Sequence, residues 1–298
     1  MRPLGVTEAL AMVEQSTPVD AAGIEERAAA LTTDTFGPDA GFSSAELAIR
    51  CTDLTSLEVD DTPEKIAALC ATAVHPDPMD PSVPSVAAVC IYPALVPTAV
   101  RALTDTPVKV AGVAGGFPGG DVPTATKLRE IREVLDMGAD EVDMTLNRTA
   151  FLAGQLGETF EEIAASKELC GVARLKVILE TGELGSYDHI RRASVLVMAA
   201  GADFIKTSTG KSGTGATFPA ALCIMEAVRD LGGDIGRQVG IKVSGGIRKA
   251  EEAAGYLLML RDTLGPDWMG PDLFRFGASS LLEDLIAQVR KVRRMRPS

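Results

Sequence analysis

The 298-residue chain has few histidines, few aromatic residues and no paired cysteines. Its two histidines, His75 and His189, are far apart, so no histidine cluster, HExxH motif or zinc ribbon can be drawn. Aromatic residues make up 4% of the chain, too few for a platform on which nucleic-acid bases stack. The five cysteines are odd in number and form no CxxC motif. This pattern favours reduced thiols in a cytoplasmic protein over a disulfide framework.

Positive charge is also scarce. The chain has 29 Lys and Arg against 41 Asp and Glu, a net charge of −12, and five of its basic residues lie at 290–298. Such an acidic surface repels nucleic acid and anionic lipid, so neither is an expected partner. The uncharged stretch 81–100 contains four prolines, which fit a loop–strand–loop better than a membrane helix. The weak apolar start is interrupted by Glu14, which is not typical of a signal peptide.

What the chain does contain is a repeat of short apolar runs separated by longer amphipathic runs. Apolar runs bounded by Gly and Pro are typical of parallel strands buried on both faces. All but one of the units are about 30–37 residues long, the length of a βα unit. Eight such units predict an α/β protein with a closed (β/α)8 TIM barrel rather than an open doubly wound sheet. The predicted strands are 50–57, 86–92, 107–113, 140–146, 172–180, 202–208, 238–244 and 273–278.

The domain organisation follows from where this repeat begins. Residues 1–40 are Ala-rich and weakly patterned, which predicts an N-terminal arm with one short helix around 22–32. Residues 41–298 are predicted to form the barrel, ending in a short basic tail. Among the barrel helices, one is predicted to open at Pro219 and to end at the Gly pair 232–233.

Four charged residues lie inside the buried strands: Asp143, Lys176, Lys206 and Lys242. Such residues are rarely buried unless they are paired. An ion network that only fixes strand register is one explanation. A functional site is favoured, because perturbed charges cluster at such sites. Asp143, Lys176 and Lys206 each stand five positions after a glycine, which predicts similar heights on neighbouring strands.

Lysines in such a setting point to an amine nucleophile. A Schiff base needs the neutral amine, whereas an ordinary Lys has a pKa of about 10.4. A second ammonium about 4 Å away, at an effective dielectric near 20, repels the first by roughly 4 kcal/mol, or about three pKa units. Lys206 and Lys242, on adjacent predicted strands, are expected to form such a pair. Asp143 is then expected to shuttle protons.

Glycine-rich loops after the last three strands indicate a phosphate site. The TSTGKSGTG segment supplies Gly210 and Lys211, but a P-loop is excluded because its first glycine position is Ile205. In barrels, the loops after strands 7 and 8 and a helix N-terminus commonly bind phosphate. Simple turn and N-cap chemistry is the alternative explanation. The residues concerned in those two loops are Gly245, Gly246, Ser279 and Ser280.

Six further segments, in order along the chain, are DLTSL (53–57), VCIYP (89–93), DEVDMTLN (140–147), LKVILETGEL (175–184), FIKTSTGK (204–211) and FGASSLL (276–282). From about residue 45 to 290, the chain thereby resembles the deoxyribose-phosphate aldolase family. That resemblance implies a class I aldolase, which needs no metal and no cofactor. It would reversibly cleave 2-deoxy-D-ribose 5-phosphate into acetaldehyde and D-glyceraldehyde 3-phosphate, a step of deoxyribonucleoside catabolism.

The resemblance also implies a role for each matching residue. Lys206 would form the Schiff base, Lys242 would tune it, and Asp143 would relay protons. Asp53, Thr55, Lys176 and Thr209 would contact the substrate, and Gly210, Lys211, Gly245, Gly246, Ser279 and Ser280 would hold its phosphate.

The sequence departs from the family pattern at two places. No tyrosine follows Tyr256, although studied members often end in a tail whose terminal tyrosine assists the proton step. Strand 7 reads KVSGG where the family often has KPAGG, so Ser244 is expected to add a hydrogen bond.

Other functions stay open at this point. One is a different Schiff-base lyase acting on another sugar phosphate or keto acid, and another is a non-catalytic sugar-phosphate-binding protein. In each case the expected partner is a small phosphorylated sugar or aldehyde. The sequence does not determine the oligomeric state, and a homodimer is left open.

Overall fold

The computed structural model describes residues 4–31 and 44–295. Within them, eight parallel strands form a closed barrel in which each strand pairs with its neighbours in chain order. The predicted TIM barrel is therefore confirmed, and the open doubly wound sheet is excluded. The strands are β1 (Thr52–Thr55), β2 (Ala88–Ile91), β3 (Lys109–Ala114), β4 (Glu141–Thr145), β5 (Arg174–Ile178), β6 (Phe204–Lys206), β7 (Gly240–Ser244) and β8 (Phe274–Ala278).

Helices cover the outside of the barrel. Their apolar faces and the outer faces of the strands form one continuous core. Across residues 4–31 and 44–295, none of the helices has both the length and the apolar character of a membrane span. The helices are α1 (Val6–Gln15), α2 (Ala21–Leu31), α3 (Ser44–Arg50), α4 (Pro63–Val74), α5 (Val96–Ala102), α6 (Thr124–Asp136), α7 (Arg148–Leu152), α8 (Leu156–Cys170), α9 (Tyr187–Ala199), α10 (Phe218–Ile235), α11 (Ala250–Leu264) and α12 (Leu281–Met295).

The N-terminal arm differs from its prediction because it contains two helices, not one. α2 is the predicted helix, whereas α1 was not predicted. α1 packs against α8 and α9, where Ala9 and Val13 are buried. Tertiary burial therefore stabilises a helix of only ten residues, which is too short to be stable alone in water. The predicted boundary between residues 40 and 41 lies outside the described residues, so it stays a prediction.

Two helix ends also differ from the sequence-based prediction. α10 continues past the Gly pair 232–233 to Ile235, because Gly236 takes the left-handed conformation (φ 70°) that caps the helix. The first part of the predicted basic tail is helical, since α12 extends to Met295. Arg290 pairs with Asp77 at 2.7 Å, so this end of α12 is held against the barrel.

Strand register sets the height of each charged side chain. Asp143 pairs with Lys176, and Lys206 pairs with Lys242. Lys206, however, pairs with Ile178 on β5, two residues beyond Lys176. The prediction of equal heights is therefore right for Asp143 and Lys176 and wrong for Lys206, because the strands of a closed barrel are staggered.

Candidate active site

Seven ionisable side chains meet inside the barrel, and all of them are buried. They come from six strands, which each point one or two charged residues toward the barrel axis. The four charged residues singled out in the sequence are brought together here, so their placement in one cluster is observed. The members are Asp53 (β1), Glu141 and Asp143 (β4), Lys176 (β5), Lys206 (β6), Lys242 (β7) and Arg275 (β8).

Asp143 is the centre of this cluster. Its Oδ1 accepts a hydrogen bond from Lys176 Nζ at 2.8 Å. Its Oδ2 accepts from both Lys206 Nζ and Lys242 Nζ, each at 2.8 Å. The Cys90 thiol lies 3.7 Å from the same oxygen. Burial by itself raises the pKa of Asp143, but the three lysines hold it well below its usual value, so the group is a carboxylate.

Of the predicted lysine pair, Lys242 contacts more carboxylates than Lys206. Its Nζ lies 2.6 Å from Asp53 Oδ2 and 2.8 Å from Asp143 Oδ2. Burial opposes its charged form, but Asp143 and Asp53 outweigh burial and raise the pKa of Lys242. Lys242 therefore stays an ammonium beside Lys206, with the Asp143 carboxylate between the two.

Sequence analysis missed two members of the cluster, Glu141 and Arg275. Arg275 donates to Asp53 Oδ1 at 2.5 Å and to Glu141 Oε1 at 2.9 Å. The other Glu141 oxygen lies 2.6 Å from Lys176 Nζ. The signal that revealed Asp143 would have found both, because Glu141 and Arg275 are also charged residues within buried strands.

The charges of the cluster do not balance. Its three carboxylates face four cations, so the fully charged cluster has one positive charge too many. Lys206 contacts Asp143 alone, whereas Lys176, Lys242 and Arg275 each contact at least two carboxylates. Lys206 is therefore the cation of the cluster with the least carboxylate contact.

A cavity of about 250 Å³ lies above this cluster at the carboxyl end of the strands. Lys206 is the one member of the cluster that lines it. Asp53, Asp143, Lys176 and Lys242 are not among the residues that line it. Asp53 and Lys176 contact other cluster members, and their expected contact with the substrate stays a prediction. The predicted residues that line the cavity are Thr55, Lys206, Thr209, Gly210, Lys211, Gly245, Gly246, Ser279 and Ser280.

One end of the cavity has the features of an anion site. Gly245 and Gly246 have φ values of 93° and 85°, which side chains other than glycine rarely adopt. Ser279 and Ser280 stand directly before α12. Within the described part of the chain, no protein group accepts a hydrogen bond from the backbone N–H of these four residues. Lys211 and Arg248 add positive charge to the lining, and Arg248 was not predicted from sequence.

A buried glutamate fixes the loop that carries Thr209 and Lys211. Glu180 Oε2 accepts hydrogen bonds from the Thr209 hydroxyl at 2.5 Å and from the Thr209 N–H at 3.2 Å. Thr209 Oγ1 in turn accepts from the Lys211 N–H at 3.0 Å. Glu180 itself has a φ of 55°, unusual for a residue with a side chain. The loop after β6 is thus held by a strained, buried acceptor.

The departure at KVSGG has a visible consequence. Ser244 Oγ donates a hydrogen bond to the Ser208 carbonyl at 2.5 Å, as expected for the extra hydroxyl. Gly277 lies against this segment, where a Cβ would come within 2.6 Å of Ser244 Cβ and 3.0 Å of Lys242 Cε. The absence of a side chain at Gly277 therefore leaves room for the stem of Lys242.

Among the residues that the structure describes, no three His, Cys, Asp or Glu side chains are grouped so that they could hold a metal ion.

Comparison with known proteins shows the family of the chain. Residues 47–283 match the family model described as the DeoC/LacD family aldolase. The chain belongs to this family. Members of the DeoC/LacD aldolases with curated names include the deoxyribose-phosphate aldolase of Mus musculus, 44% identical over 252 residues, which cover 81% of this chain and 79% of that protein. The deoxyribose-phosphate aldolase of Homo sapiens is 42% identical over 253 residues, with the same coverage.

A solved structure gives the same result for this DeoC/LacD aldolase. The deoxyribose phosphate aldolase of Aeropyrum pernix, described as tetrameric, superposes with a TM-score of 0.64 at 25% identity. The match covers 91% of this chain and 99% of that one. The family expected from the six sequence segments is therefore confirmed.

Proposed function

We propose that this DeoC/LacD aldolase reversibly cleaves 2-deoxy-D-ribose 5-phosphate into acetaldehyde and D-glyceraldehyde 3-phosphate. One observation carries the proposal. Lys206 Nζ lies on the cavity floor, 2.8 Å from the Asp143 carboxylate, in a cluster with one cation too many. An amine in that setting can be both neutral and reachable, as Schiff-base formation requires.

The two ends of the cavity suit the two ends of this substrate. The backbone N–H groups at the glycine turn and before α12, together with Lys211, would hold the phosphate. The aldehyde carbon C1 would then lie toward Lys206. Thr55 and Thr209 line the cavity between these ends, where Thr55 can meet a sugar hydroxyl.

The chemistry follows from the amine and the carboxylate. Neutral Lys206 attacks C1 of the open-chain sugar to give a carbinolamine. A proton relayed from solvent to the carbinolamine hydroxyl lets water leave and gives the protonated Schiff base. Removal of the proton from the C3 hydroxyl lets the C2–C3 bond break, which releases D-glyceraldehyde 3-phosphate and leaves an enamine on Lys206. Protonation of C2 and addition of water release acetaldehyde. Asp143, in contact with the amine, is proposed to relay these protons.

The remaining cluster residues act on Lys206 and Asp143. Lys242 keeps its positive charge and disfavours a second ammonium at Lys206. Arg275 and Glu141 hold Asp53 and Lys176, which in turn contact Lys242 and Asp143. We propose that these four residues position the reacting groups without touching the substrate.

Borohydride trapping tests the function. Incubation with 2-deoxy-D-ribose 5-phosphate and borohydride is expected to add mass to the peptide that contains Lys206. The Lys206→Met variant is expected to show no adduct and no turnover, whereas Lys249→Met removes an exposed lysine and serves as the control. No adduct with the wild-type protein, or an adduct on another lysine, would contradict the proposal.

A donor panel separates this function from other Schiff-base lyases. The protein is expected to join acetaldehyde to D-glyceraldehyde 3-phosphate. Acceptance of pyruvate or dihydroxyacetone phosphate in place of acetaldehyde would instead support a lyase of another substrate class. A non-catalytic sugar-phosphate-binding protein would turn over none of these compounds.

We further propose that the protein is cytoplasmic and forms a homo-oligomer. All five cysteines are buried free thiols, which supports a cytoplasmic enzyme. The relative from Aeropyrum pernix is described as tetrameric, which supports a homo-oligomer of this chain, and the homodimer stays a prediction. Sedimentation of the purified protein decides between one, two and four copies.

A further inference from the structure

A carboxylate lies at the phosphate end of the cavity, where it opposes the binding of an anion. Glu58, in the loop after β1, lines the cavity together with Lys211. Its Oε1 lies 3.3 Å from Lys211 Nζ. The proposed phosphate site therefore has one of its cations already paired with a carboxylate of the protein itself.

The backbone of Glu58 is held at this position by a buried aspartate. The Glu58 N–H donates to Asp61 Oδ2 at 2.9 Å, and Ser56 Oγ donates to Asp61 Oδ1 at 2.8 Å. The Asp61 side chain is 2% exposed. Two hydrogen bonds to a buried acceptor thus fix the backbone of this turn, from which the Glu58 side chain reaches the cavity lining.

Lys211 is fixed from the opposite side. Its N–H donates to Thr209 Oγ1, and the Thr209 hydroxyl donates to the buried Glu180. The ion pair therefore bridges two anchored loops across the cavity. Both side chains remain partly exposed, Glu58 at 66% and Lys211 at 28%, so a ligand can separate them.

We propose that Glu58 competes with the phosphate group of the substrate for Lys211 and thereby sets the affinity for anionic ligands. This inference rests on the proposed function of the same site. A bound phosphate must separate Glu58 from Lys211, and it is then repelled by the nearby Glu58 carboxylate. A sugar without a phosphate group has neither of these two energetic costs. Glu58 is thus a residue that lowers the preference for phosphorylated over unphosphorylated substrate.

Binding of inorganic phosphate tests the competition without any catalysis. The variant Glu58→Gln is expected to bind phosphate about two- to fivefold more tightly by calorimetry, since exposed ion pairs have about that effect. The variant Asp60→Asn is the control, because it removes an equal charge two residues away that pairs with Lys65 at 3.1 Å. Unchanged affinity in Glu58→Gln, or an equal gain in Asp60→Asn, would overturn the inference.

A second variant locates the effect at Lys211. In the Lys211→Met background, Glu58→Gln is expected to give a smaller gain in phosphate affinity, because only the repulsion between Glu58 and the anion is left to remove. An equal gain in both backgrounds would show that Glu58 acts on the anion without competing for Lys211, which contradicts the proposal.

Kinetics then connect the competition to specificity. The ratio of kcat/KM for 2-deoxy-D-ribose 5-phosphate to that for 2-deoxy-D-ribose is expected to rise about two- to fivefold in Glu58→Gln. A ratio that does not rise overturns the inference and leaves the aldolase function standing. If neither sugar is cleaved, the aldolase function fails, and the phosphate-binding experiment still decides the competition.

Discussion

Replacing Lys242 with Met removes one cation from the centre of the barrel and keeps the length of the side chain. The variant loses the contacts of 2.6 Å to Asp53 and 2.8 Å to Asp143. Asp53 keeps Arg275, and Asp143 keeps two lysines, so no carboxylate is left unpaired. The cluster then has three cations and three carboxylates, and Lys206 no longer has a second ammonium beside the carboxylate oxygen that it contacts.

The size of the effect follows from the geometry. The two ammonium groups share one carboxylate oxygen at 2.8 Å each, which puts them about 4–5 Å apart. At an effective dielectric near 20, like charges at that separation repel by roughly 3–4 kcal/mol. Each 1.4 kcal/mol is about a factor of ten, so loss of this repulsion should lower the reactivity of Lys206 by at least about 100-fold. We expect kcat/KM near neutral pH to fall by about the same factor.

The pH–rate profile is the decisive measurement. In Lys242→Met, kcat/KM should recover toward the wild-type value as the pH rises, because higher pH restores the neutral amine. Lys249→Met, an exposed lysine paired with Asp284 at 3.1 Å, should leave the profile unchanged. Thermal unfolding checks that the variant is folded. A folded Lys242→Met protein with the wild-type profile would refute the charge-repulsion argument.

Three further predictions follow from burial and charge. Gly277→Ala should displace Ser244 and the stem of Lys242, because the new Cβ would lie 2.6 Å from Ser244 Cβ and 3.0 Å from Lys242 Cε. Steady-state kinetics of the folded variant should show a reduced kcat and a smaller change in KM. Because the folded-state pKa of Asp143 is lowered, this carboxylate stabilises the fold above about pH 4, and that stabilisation is lost as the pH falls. The free energy of unfolding of Asp143→Asn should therefore fall less steeply at acid pH than that of the wild type. The same acid dependence in both proteins would contradict this. Lys127→Met should destabilise the fold by about 3–5 kcal/mol in urea unfolding, since it leaves Glu162 buried without its partner at 2.7 Å, whereas activity per folded molecule should stay constant.

Much of the site could be predicted from sequence because a charged residue within an apolar run is visible in the chain itself. Asp143, Lys176, Lys206 and Lys242 were found in this way. Glu141 and Arg275 carry the same signal and were missed. Glu58 carries no such signal, because an acidic residue in an exposed loop is ordinary.

Part of the fold escaped prediction for a related reason. The helix α1 has only ten residues, too few to be stable alone in water, and its burial against α8 and α9 stabilises it. The end of α10 depends on which of several nearby glycines takes the left-handed conformation, and Gly236 does so. Local sequence does not rank such alternatives, because the differences in free energy between them come from tertiary contacts.

The sequence by itself determined the number of βα units, and therefore the barrel, because strand and helix periodicity are local properties of the chain. It also determined which strands carry buried charge and which loops are rich in glycine. Only the tertiary structure decided which charges meet. Arg275 binds Asp53 across 222 residues, and Asp143 lies between Lys206 and Lys242. Barrel closure and stagger set these distances, and the distances decide which amine can lose its proton.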